Sequence, residues 1–410
     1  MTKPTPTRKK LLWISVLYFA SGFPYGVFAE LLPTYFRING ISLTEIGLVS
    51  GLGFAWALKF LWAPMVDRLG TRKRWIVGTQ LLLAGVLVLL APLDAATVSP
   101  TTWLILGALA VLSATQDVAI DAYSIELLDR REMGAANGIR VTAYRVALIA
   151  SGGLFVALAG SIGWPAVLLA CAAVMVLTAL VTLVLPSPAI LRERSVSVAQ
   201  ELRLAVWDPL RNLLYRPGML GVLPFVLIFK LGDVALTPMV RPFWVDGGYS
   251  AEQIGTVVGT IGMLATVLGA LAGGALTTRL GTFTALWSLG ALQALSNLGY
   301  WLAAVQGATP PYMYGAALVE QFTNGLGTAA FLAFLMTLCD KRYAATQYAL
   351  LSAIFILTRS LASMASGRTT EILGYSDYFL FTFFLALPAF LLLPYVRKAV
   401  AENYQRSAAS

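Results

Sequence analysis

The sequence contains no histidine, only two cysteines and few charged residues, which make up 12% of the chain. Without histidine there is no imidazole to carry protons or bind a metal, so carboxylates are the groups best suited to take up and release protons. Cys171 and Cys339 lie in separate apolar stretches and indicate neither a disulfide framework nor a Cys/His metal cluster. No nucleophile motif or phosphate-cradling glycine loop occurs either. We therefore expect neither an enzyme nor a bound metal or cofactor.

Long apolar runs fill most of the sequence. Hydrophobic residues make up 58% of the 410 residues and the mean hydropathy is +0.76, values typical of an integral membrane protein. A membrane-crossing helix needs about 20 apolar residues, and the runs predict twelve spans, numbered here in chain order. Their expected bounds are residues 11–36, 45–66, 75–94, 101–127, 134–160, 163–186, 218–244, 251–277, 282–305, 310–338, 344–368 and 376–396. No small-residue cleavage site follows the first run, so we expect it to remain as a helix.

Basic residues predict the orientation of these spans. With both termini in the cytoplasm, 21 of the 29 Lys and Arg lie on the cytoplasmic side, and only Arg37, Arg241 and Arg368 fall near the outer face. This bias follows the positive-inside rule. The net charge of +9 is therefore explained by topology, and basic residues divided among many short loops do not indicate a nucleic-acid partner.

An internal repeat runs through the chain. The motif Arg-Leu-Gly-Thr at 68–71 recurs at 279–282, and Asp-Arg-Arg at 129–131 recurs as Asp-Lys-Arg at 340–342, both 211 residues later. Ile-Gly at 46–47 recurs at 254–255, an offset of 208. Such similar offsets predict two six-helix halves in parallel arrangement, residues 1–186 and 218–410. Residues 187–217 form the expected cytoplasmic linker, with an amphipathic surface helix.

Ten ionisable residues lie deep inside the predicted spans. They are Glu30, Lys59, Asp117, Asp121, Arg140, Arg145, Lys230, Asp233, Glu320 and Arg359. A charge in a bilayer core costs roughly 2.5 to 3.5 kcal/mol on insertion scales, so each should face water, a ligand or a partner. The ten residues therefore predict a polar path through a membrane.

The first half places two acids and three bases at similar depth. Asp117 and Asp121 are four residues apart and share one face of span 4, while Lys59 lies on span 2 and Arg140 and Arg145 lie on span 5. The surplus base could bind an anionic substrate. Alternatively, pairs such as Asp121 with Arg140 only hold the helices together. Because a buried ion pair rarely stabilises more than apolar packing does, we favour a functional cluster.

The second half has a smaller polar set. Lys230 and Asp233 share one face of span 7 and can neutralise each other within the helix. Glu320, Gln321 and Asn324 form a polar turn of span 10, and Glu320 has no basic partner close in sequence. Its ionisation is therefore open to control by neighbours and substrate. Small residues on span 8 predict close helix packing rather than ligand binding; they are Gly269, Gly273 and Gly274.

This layout resembles the major facilitator superfamily, an all-α membrane fold of two six-helix bundles. In that fold the third, sixth, ninth and twelfth helices lie outermost and the others line a central cavity. The ten charges agree, because none falls in spans 3, 6, 9 or 12. The loop at 67–74 looks like the superfamily's cytoplasmic signature, which implies a gate formed by Asp67, Arg68, Gly70 and Arg72. A simple basic loop that only sets topology is the alternative.

Several motifs resemble the AmpG family of muropeptide permeases. They are Trp-Ala-Leu-Lys-Phe-Leu-Trp-Ala-Pro at 56–64, Gln-Asp-x-x-x-Asp-Ala at 116–122, Gly-x-Arg-x-x-x-Tyr-Arg at 138–145, Lys-Leu-Gly-Asp at 230–233, Ser-Asn-Leu-Gly-Tyr-Trp at 296–301 and the run at 327–352. The similarity covers all twelve spans. It implies proton-driven uptake of anhydro-muropeptides across the bacterial inner membrane by alternating access. No cofactor beyond the proton gradient is implied.

The implied cargo is an anionic glycopeptide, which suggests roles for the polar residues. Stem-peptide carboxylates would suit basic donors, and amide side chains would meet hydroxyl and acetamido groups. The expected substrate-binding residues are Lys59, Gln116, Tyr123, Arg140, Tyr144, Arg145, Lys230, Gln321, Asn324 and Arg359. The expected proton-coupling residues are Asp121, Asp117, Glu320 and Asp233.

Other functions remain open at this point. A siderophore importer or another anionic-solute carrier would use the same fold and a similar basic cavity, and a signalling receptor is a further class. Several family members continue beyond a twelfth span, whereas this sequence ends shortly after Lys398, which leaves the exact substrate open. We expect a multi-pass monomer in the lipid bilayer with both termini in the cytoplasm.

Overall fold

The structure is a computed structural model that describes residues 7–93, 98–128, 132–186, 207–216, 218–339 and 344–409. Within these ranges all regular structure is helical. Side chains are not described at 67, 68, 133–135, 208–210, 344–346, 349 and 403–409. The predicted linker falls mostly outside the described residues, which include only its last part with the short helix Asp208–Leu214. The domain boundaries at 186 and 218 therefore stay predictions.

Each predicted span of the first half corresponds to a helix or a run of helical segments. Span 1 is Thr7–Ile38, with a π-helical turn at Val27–Leu31. Spans 3, 4 and 6 are Arg72–Leu90, Pro100–Leu127 and Trp164–Val184. The segments of span 2 are Leu43–Gly51, Phe54–Leu58, Lys59–Leu61 and Ala63–Arg68, and those of span 5 are Met133–Ile149, Ala150–Leu154 and Phe155–Ile162. Spans 2, 3 and 4 each begin after a hydroxyl side chain that accepts a backbone N–H, at Ser42, Thr71 and Ser99.

The second half follows the same pattern. Span 7 consists of Met219–Ile228 and Leu231–Asp246, and span 8 runs from Ala251 to Leu280. Spans 9 and 10 are Thr282–Val305 and Pro310–Leu338. Spans 11 and 12 lie within Ala344–Ala409, where Gly374 departs from helical geometry and separates 344–373 from 375–409.

Nine helices among the described residues are long and apolar enough to cross a membrane. They are spans 1 to 8 and one run, Leu350–Glu402, that contains both spans 11 and 12. Spans 9 and 10 are also long, with 24 and 29 residues, but polar residues such as Gln293, Asn297 and Glu320 lower their hydropathy. The helices are therefore consistent with twelve spans.

Three pairs of consecutive spans are joined by a single glycine. Gly163 joins spans 5 and 6, Gly281 joins spans 8 and 9, and Gly374 joins spans 11 and 12, with φ of 80°, 79° and 77°. Side chains rarely adopt this left-handed backbone, so glycine is required. Gly70, at φ 73°, turns the chain between spans 2 and 3. Gly163 and Gly374 are 211 residues apart, as are Gly70 and Gly281, which matches the offset of the sequence repeat.

Contacts divide the chain into two compact units. The first unit contains Met1–Arg194 with Gly248–Thr260, and the second contains Ser195–Gly247 with Ile261–Ser410. Aliphatic residues and buried tyrosines, most of them from spans 1 and 4, form a core of the first unit. Aliphatic side chains and several phenylalanines form the core of the second, where the rings of Phe229 and Phe331 stack at 5.4 Å between centroids.

Glycines allow spans 8 and 10 to approach closely. A Cβ added at Gly269 would lie 2.0 Å from the carbonyl oxygen of Phe322, and one at Gly273 would lie 2.6 Å from that of Leu326. These contacts confirm the predicted packing role of the two residues. The same prediction is wrong for Gly274, because a Cβ there would have no atom within 4 Å.

The substitution Gly269→Ala should destabilise the protein by about 1–3 kcal/mol, because its methyl group would overlap the Phe322 carbonyl. Gly274→Ala is the matched control on the same helix. It should leave stability unchanged or raise it, since alanine favours helix more than glycine does. Thermal unfolding of the purified protein in detergent, followed by tryptophan fluorescence, measures both. Equal unfolding temperatures for the two variants would contradict this close packing.

Candidate functional site

The first charged cluster begins with an ion pair between spans 2 and 4. Lys59 is the first residue of the short 3-10 helix Lys59–Leu61, which interrupts the α-helix of span 2. Its Nζ lies 3.6 Å from Asp117 Oδ2, and the two side chains are 31% and 12% exposed. Ser21 of span 1 donates a short hydrogen bond to Asp117 Oδ1. Asp117 thus receives one cation and one hydroxyl donor from two different spans.

The second pair lies one helical turn further along span 4. Arg140 Nη2 of span 5 lies 3.1 Å from Asp121 Oδ1, and the side chains are 47% and 34% exposed. Tyr18 of span 1 donates its hydroxyl hydrogen to the same Oδ1 at 2.7 Å. The Arg140 guanidinium carbon also lies 4.7 Å from the centre of the Tyr18 ring, within cation–π range. Asp121 therefore repeats the arrangement of Asp117, with greater access to solvent.

The hydroxyl donors, Tyr18 and Ser21, are members of this cluster that the charge pattern missed. Tyr18 and Ser21 are three residues apart on span 1, and Asp117 and Asp121 are four residues apart on span 4. Both spacings place side chains on one helical face. A search for polar residues at helical spacing on span 1 could have found them.

Two predicted binding residues of span 4 are buried. Gln116 is fully buried, and its Nε2 donates to the Ala20 carbonyl at 2.8 Å. Tyr123 is also fully buried, and its hydroxyl donates to the Pro186 carbonyl at 2.7 Å. These bonds tie span 4 to span 1 and to the end of span 6. A substrate-binding role for either side chain stays a prediction.

Of the remaining predicted residues of span 5, Tyr144 lies beside an aromatic group. Tyr144 and Arg145 are both half-buried. The Tyr144 ring lies 6.1 Å from that of Tyr25, which contacts Trp56 edge-on at 5.0 Å between centroids. Aromatic faces of this kind can pack against sugar rings. The binding roles of Tyr144 and Arg145 stay predictions.

The loop between spans 2 and 3 is fixed to the end of span 4. Arg72 donates through Nη1 to the Val66 carbonyl at 2.6 Å and through Nε to Glu126 Oε1 at 3.0 Å. Gly70 has a positive φ of 73° at the turn between the two spans. The side chains of Asp67 and Arg68 lie outside the described part of the structure, so the gating role of the four residues stays a prediction.

The second charged cluster is buried inside the second unit. Lys230 occupies the break in span 7, and its Nζ lies 3.1 Å from Asp233 Oδ2. The two side chains are only 3% and 10% exposed. Glu320 is also buried, and it lies within hydrogen-bonding reach of Asp233 once either carboxyl carries a proton. The structure thus gives Glu320 the charged neighbours that it lacks in sequence.

Hydrogen bonds on span 10 extend this cluster. Asn324 Nδ2 donates to Glu320 Oε1 at 3.4 Å, while Asn324 Oδ1 accepts from Thr328 at 3.0 Å. Gln321 Oε1 accepts from the Thr266 hydroxyl of span 8 at 2.6 Å. Two basic residues outside these hydrogen bonds are also shielded from solvent. Arg359 is half-buried, and Arg241 is only 4% exposed. The burial of Arg241 was not anticipated from the sequence.

Comparison with known proteins places these clusters in context. The sequence model of the Major Facilitator Superfamily matches residues 14–363. The anhydromuropeptide permease of Escherichia coli (strain K12) is 36% identical over 396 residues, which cover 94% of this chain and 79% of that protein. A putative transporter of Rickettsia felis, AmpG 4, is 27% identical over 95% of this chain and 97% of its own length.

Solved structures agree on the fold. A bacterial homologue of the human lysosomal transporter Spinster superposes with a TM-score of 0.76 at 16% identity, covering 98% of this chain and 99% of its own. The comparisons confirm the predicted fold class and the expectation that the chain is a transporter rather than an enzyme. The chain belongs to the major facilitator superfamily and, within it, to the AmpG family of permeases.

Proposed function

We propose that this chain imports anhydro-muropeptides across the bacterial inner membrane together with protons. The observation that carries the proposal is its 36% identity, over 94% of its length, to an anhydromuropeptide permease. The charged cluster of the first unit supports it, because two partly exposed acid–base pairs lie one helical turn apart. In this proposal the protein acts as a monomer with both termini in the cytoplasm, and no cofactor beyond the proton gradient is needed.

Substrate recognition rests on the exposed basic groups. Arg140 is 47% exposed and contacts Asp121 through one nitrogen, whereas a guanidinium carries five N–H donors. It can therefore bind a stem-peptide carboxylate through its remaining donors. Lys59, 31% exposed and 3.6 Å from Asp117, offers a second cation. The half-buried Tyr144 and Arg145 would extend this surface in the first unit, and Arg359, Gln321 and Asn324 would do so in the second.

Proton coupling follows from competition for the same cations. A substrate carboxylate that binds Arg140 or Lys59 weakens the pairing of that cation with Asp121 or Asp117. A carboxylate deprived of its cation is more easily neutralised by a proton. Substrate and proton would therefore load together. Glu320 and Asp233 are the candidates for a second protonation step, since Lys230 alone neutralises only one of them.

Transport would proceed by alternating access, in which the two halves rock around the loaded substrate. The loop with Asp67, Arg68, Gly70 and Arg72 would then act as a cytoplasmic gate. The bonds of Arg72 to Val66 and Glu126 support this role, because they couple the loop to span 4, the helix that carries Asp117 and Asp121.

The substitution Asp121→Asn tests the coupling role. In proteoliposomes it should lower muropeptide accumulation driven by a pH gradient by about tenfold or more, because an amide cannot take up and release the proton. Exchange of labelled for unlabelled substrate at equal pH should persist. Asp377→Asn, at an exposed residue outside both clusters, is the control and should transport normally. Unaltered pH-driven accumulation in Asp121→Asn would remove this residue from coupling.

The substitution Lys59→Ala tests recognition. A hydrogen bond to a charged group contributes about 1.5–3 kcal/mol, so the apparent KM for muropeptide should rise roughly 10- to 100-fold. Lys9→Ala removes an exposed lysine near the start of span 1 and should leave KM unchanged. If both variants have the wild-type KM, Lys59 has no central part in binding.

A competition assay separates muropeptide import from siderophore import, which would use the same fold and a similar basic surface. Excess unlabelled anhydro-muropeptide should abolish the uptake of labelled anhydro-muropeptide. The same excess of a ferric siderophore should leave most of this uptake intact. The physical reason is that the proposed site pairs cations with stem-peptide carboxylates. Stronger inhibition by the siderophore would favour the alternative substrate class.

A further inference from the structure

A small polar cavity lies inside the second unit. Spans 7, 9 and 12 line it, with Asp233, Gln293 and Asn297 as its polar residues and Phe229 and Phe390 among its apolar ones. The space open to the centre of a water molecule is about 10 Å³. A single ordered water needs roughly 10–15 Å³ by this measure, so the cavity has room for one water and for nothing much larger.

Each polar residue of the cavity has one atom without a hydrogen-bond partner among the described residues. These atoms are Asp233 Oδ1, Gln293 Nε2 and Asn297 Oδ1. The residues are only 8%, 4% and 1% exposed, so bulk water does not satisfy them. A buried group left unpaired is costly, and most such groups in proteins have a partner or an ordered water.

Other contacts hold these side chains in place. Asn297 Nδ2 donates to the Thr382 hydroxyl at 3.3 Å, and Asp233 Oδ2 is paired with Lys230. Gln293 Oε1 lies against span 10 at Gly327, so close that a Cβ added at this glycine would overlap it. These observations concern the other polar atom of each of the three side chains.

The unpaired atoms match the hydrogen-bonding capacity of one water molecule. Two of them are acceptors and one is a donor, while water can donate two hydrogen bonds and accept from an amide N–H. A cation fits less well, because the Gln293 N–H would oppose it. An apolar occupant would leave all three atoms unpaired.

We propose that this cavity binds one ordered water that bridges Asp233, Gln293 and Asn297 and fixes the Asp233 carboxylate beside Lys230 and Glu320. The inference rests on the proposed function, in which Asp233 and Glu320 are candidates for proton coupling. Gln293 and Asn297 are then positioning residues that act on Asp233 through the water. They belong to span 9, which the charge pattern had left without a functional residue.

Leucine substitutions remove the water's partners while roughly keeping side-chain volume. Gln293→Leu and Asn297→Leu should each lower pH-gradient-driven accumulation in proteoliposomes by about tenfold, as expected for an unpaired buried acceptor. Exchange of labelled muropeptide at equal pH should stay within about twofold of wild type. A purely structural defect would lower both activities together. Gln306→Leu makes the same change at the exposed end of span 9 and is the matched control.

The wild-type protein provides a direct measurement that does not depend on the variants folding. A high-resolution cryo-electron microscopy map in lipid nanodiscs should show one density peak about 2.6–3.2 Å from each of the three unpaired atoms. An empty cavity would overturn the inference. A rise in unfolding temperature in sodium chloride relative to choline chloride, lost in Asn297→Leu, would also overturn it, because it would indicate a cation site.

The outcomes distinguish this inference from the proposed function. If wild-type vesicles accumulate muropeptide with the pH gradient and the leucine variants do so equally well, the positioning role fails and the proposed function stands. If wild-type vesicles show no pH-driven accumulation, proton coupling fails, and the map alone decides whether the water site exists.

Discussion

The free-energy cost of an unpaired charge in a bilayer determines how the polar residues of this protein are arranged. Asp117 and Asp121 each receive a cation and a hydroxyl from other spans, and Lys230 pairs with Asp233 at a break in its own span. The partners of Asp117 and Asp121 come from spans 1, 2 and 5. The ion pairs and hydroxyl hydrogen bonds therefore also connect span 4 to spans 1, 2 and 5. A ligand that breaks one ion pair must therefore supply a new partner for the charge that it separates.

The ion pairs of the two units differ in how far they are exposed to solvent. In the first unit the pair of Asp121 and Arg140 is partly exposed, so water screens it and a solute carboxylate can exchange with the protein's own. In the second unit Lys230 and Asp233 are almost fully enclosed. Removing one partner there would leave an uncompensated buried charge. The first arrangement leaves its charges open to other partners in solution, whereas the second encloses its two charges within the protein.

The sequence was sufficient for the spans, the repeat and the acidic and basic members of both clusters, because long apolar runs and charges within them are strong signals. It was insufficient to predict which uncharged side chains bind the charged ones. Tyr18 and Ser21 carry no charge, and although their spacing places them on one face of span 1, it does not show that this face contacts Asp117 and Asp121. Gln116 and Tyr123 lie beside the cluster in sequence, yet their amide and hydroxyl groups bind backbone carbonyls. Gly274 differs from Gly269 only in which helical face it occupies, a property that depends on where the neighbouring helix packs.

The single-glycine joints at Gly163, Gly281 and Gly374 have a mechanical consequence. A connection of several residues could absorb a shift of one helix relative to the next, but consecutive Cα atoms are only about 3.8 Å apart, so one residue leaves almost no slack. Spans 6, 9 and 12 are each tethered in this way to the span that precedes them. Any displacement of span 5, 8 or 11 larger than a few ångströms must drag its tethered neighbour along. At these three joints the smallest body that can move is therefore a helical hairpin, so spans 6, 9 and 12 move together with spans 5, 8 and 11.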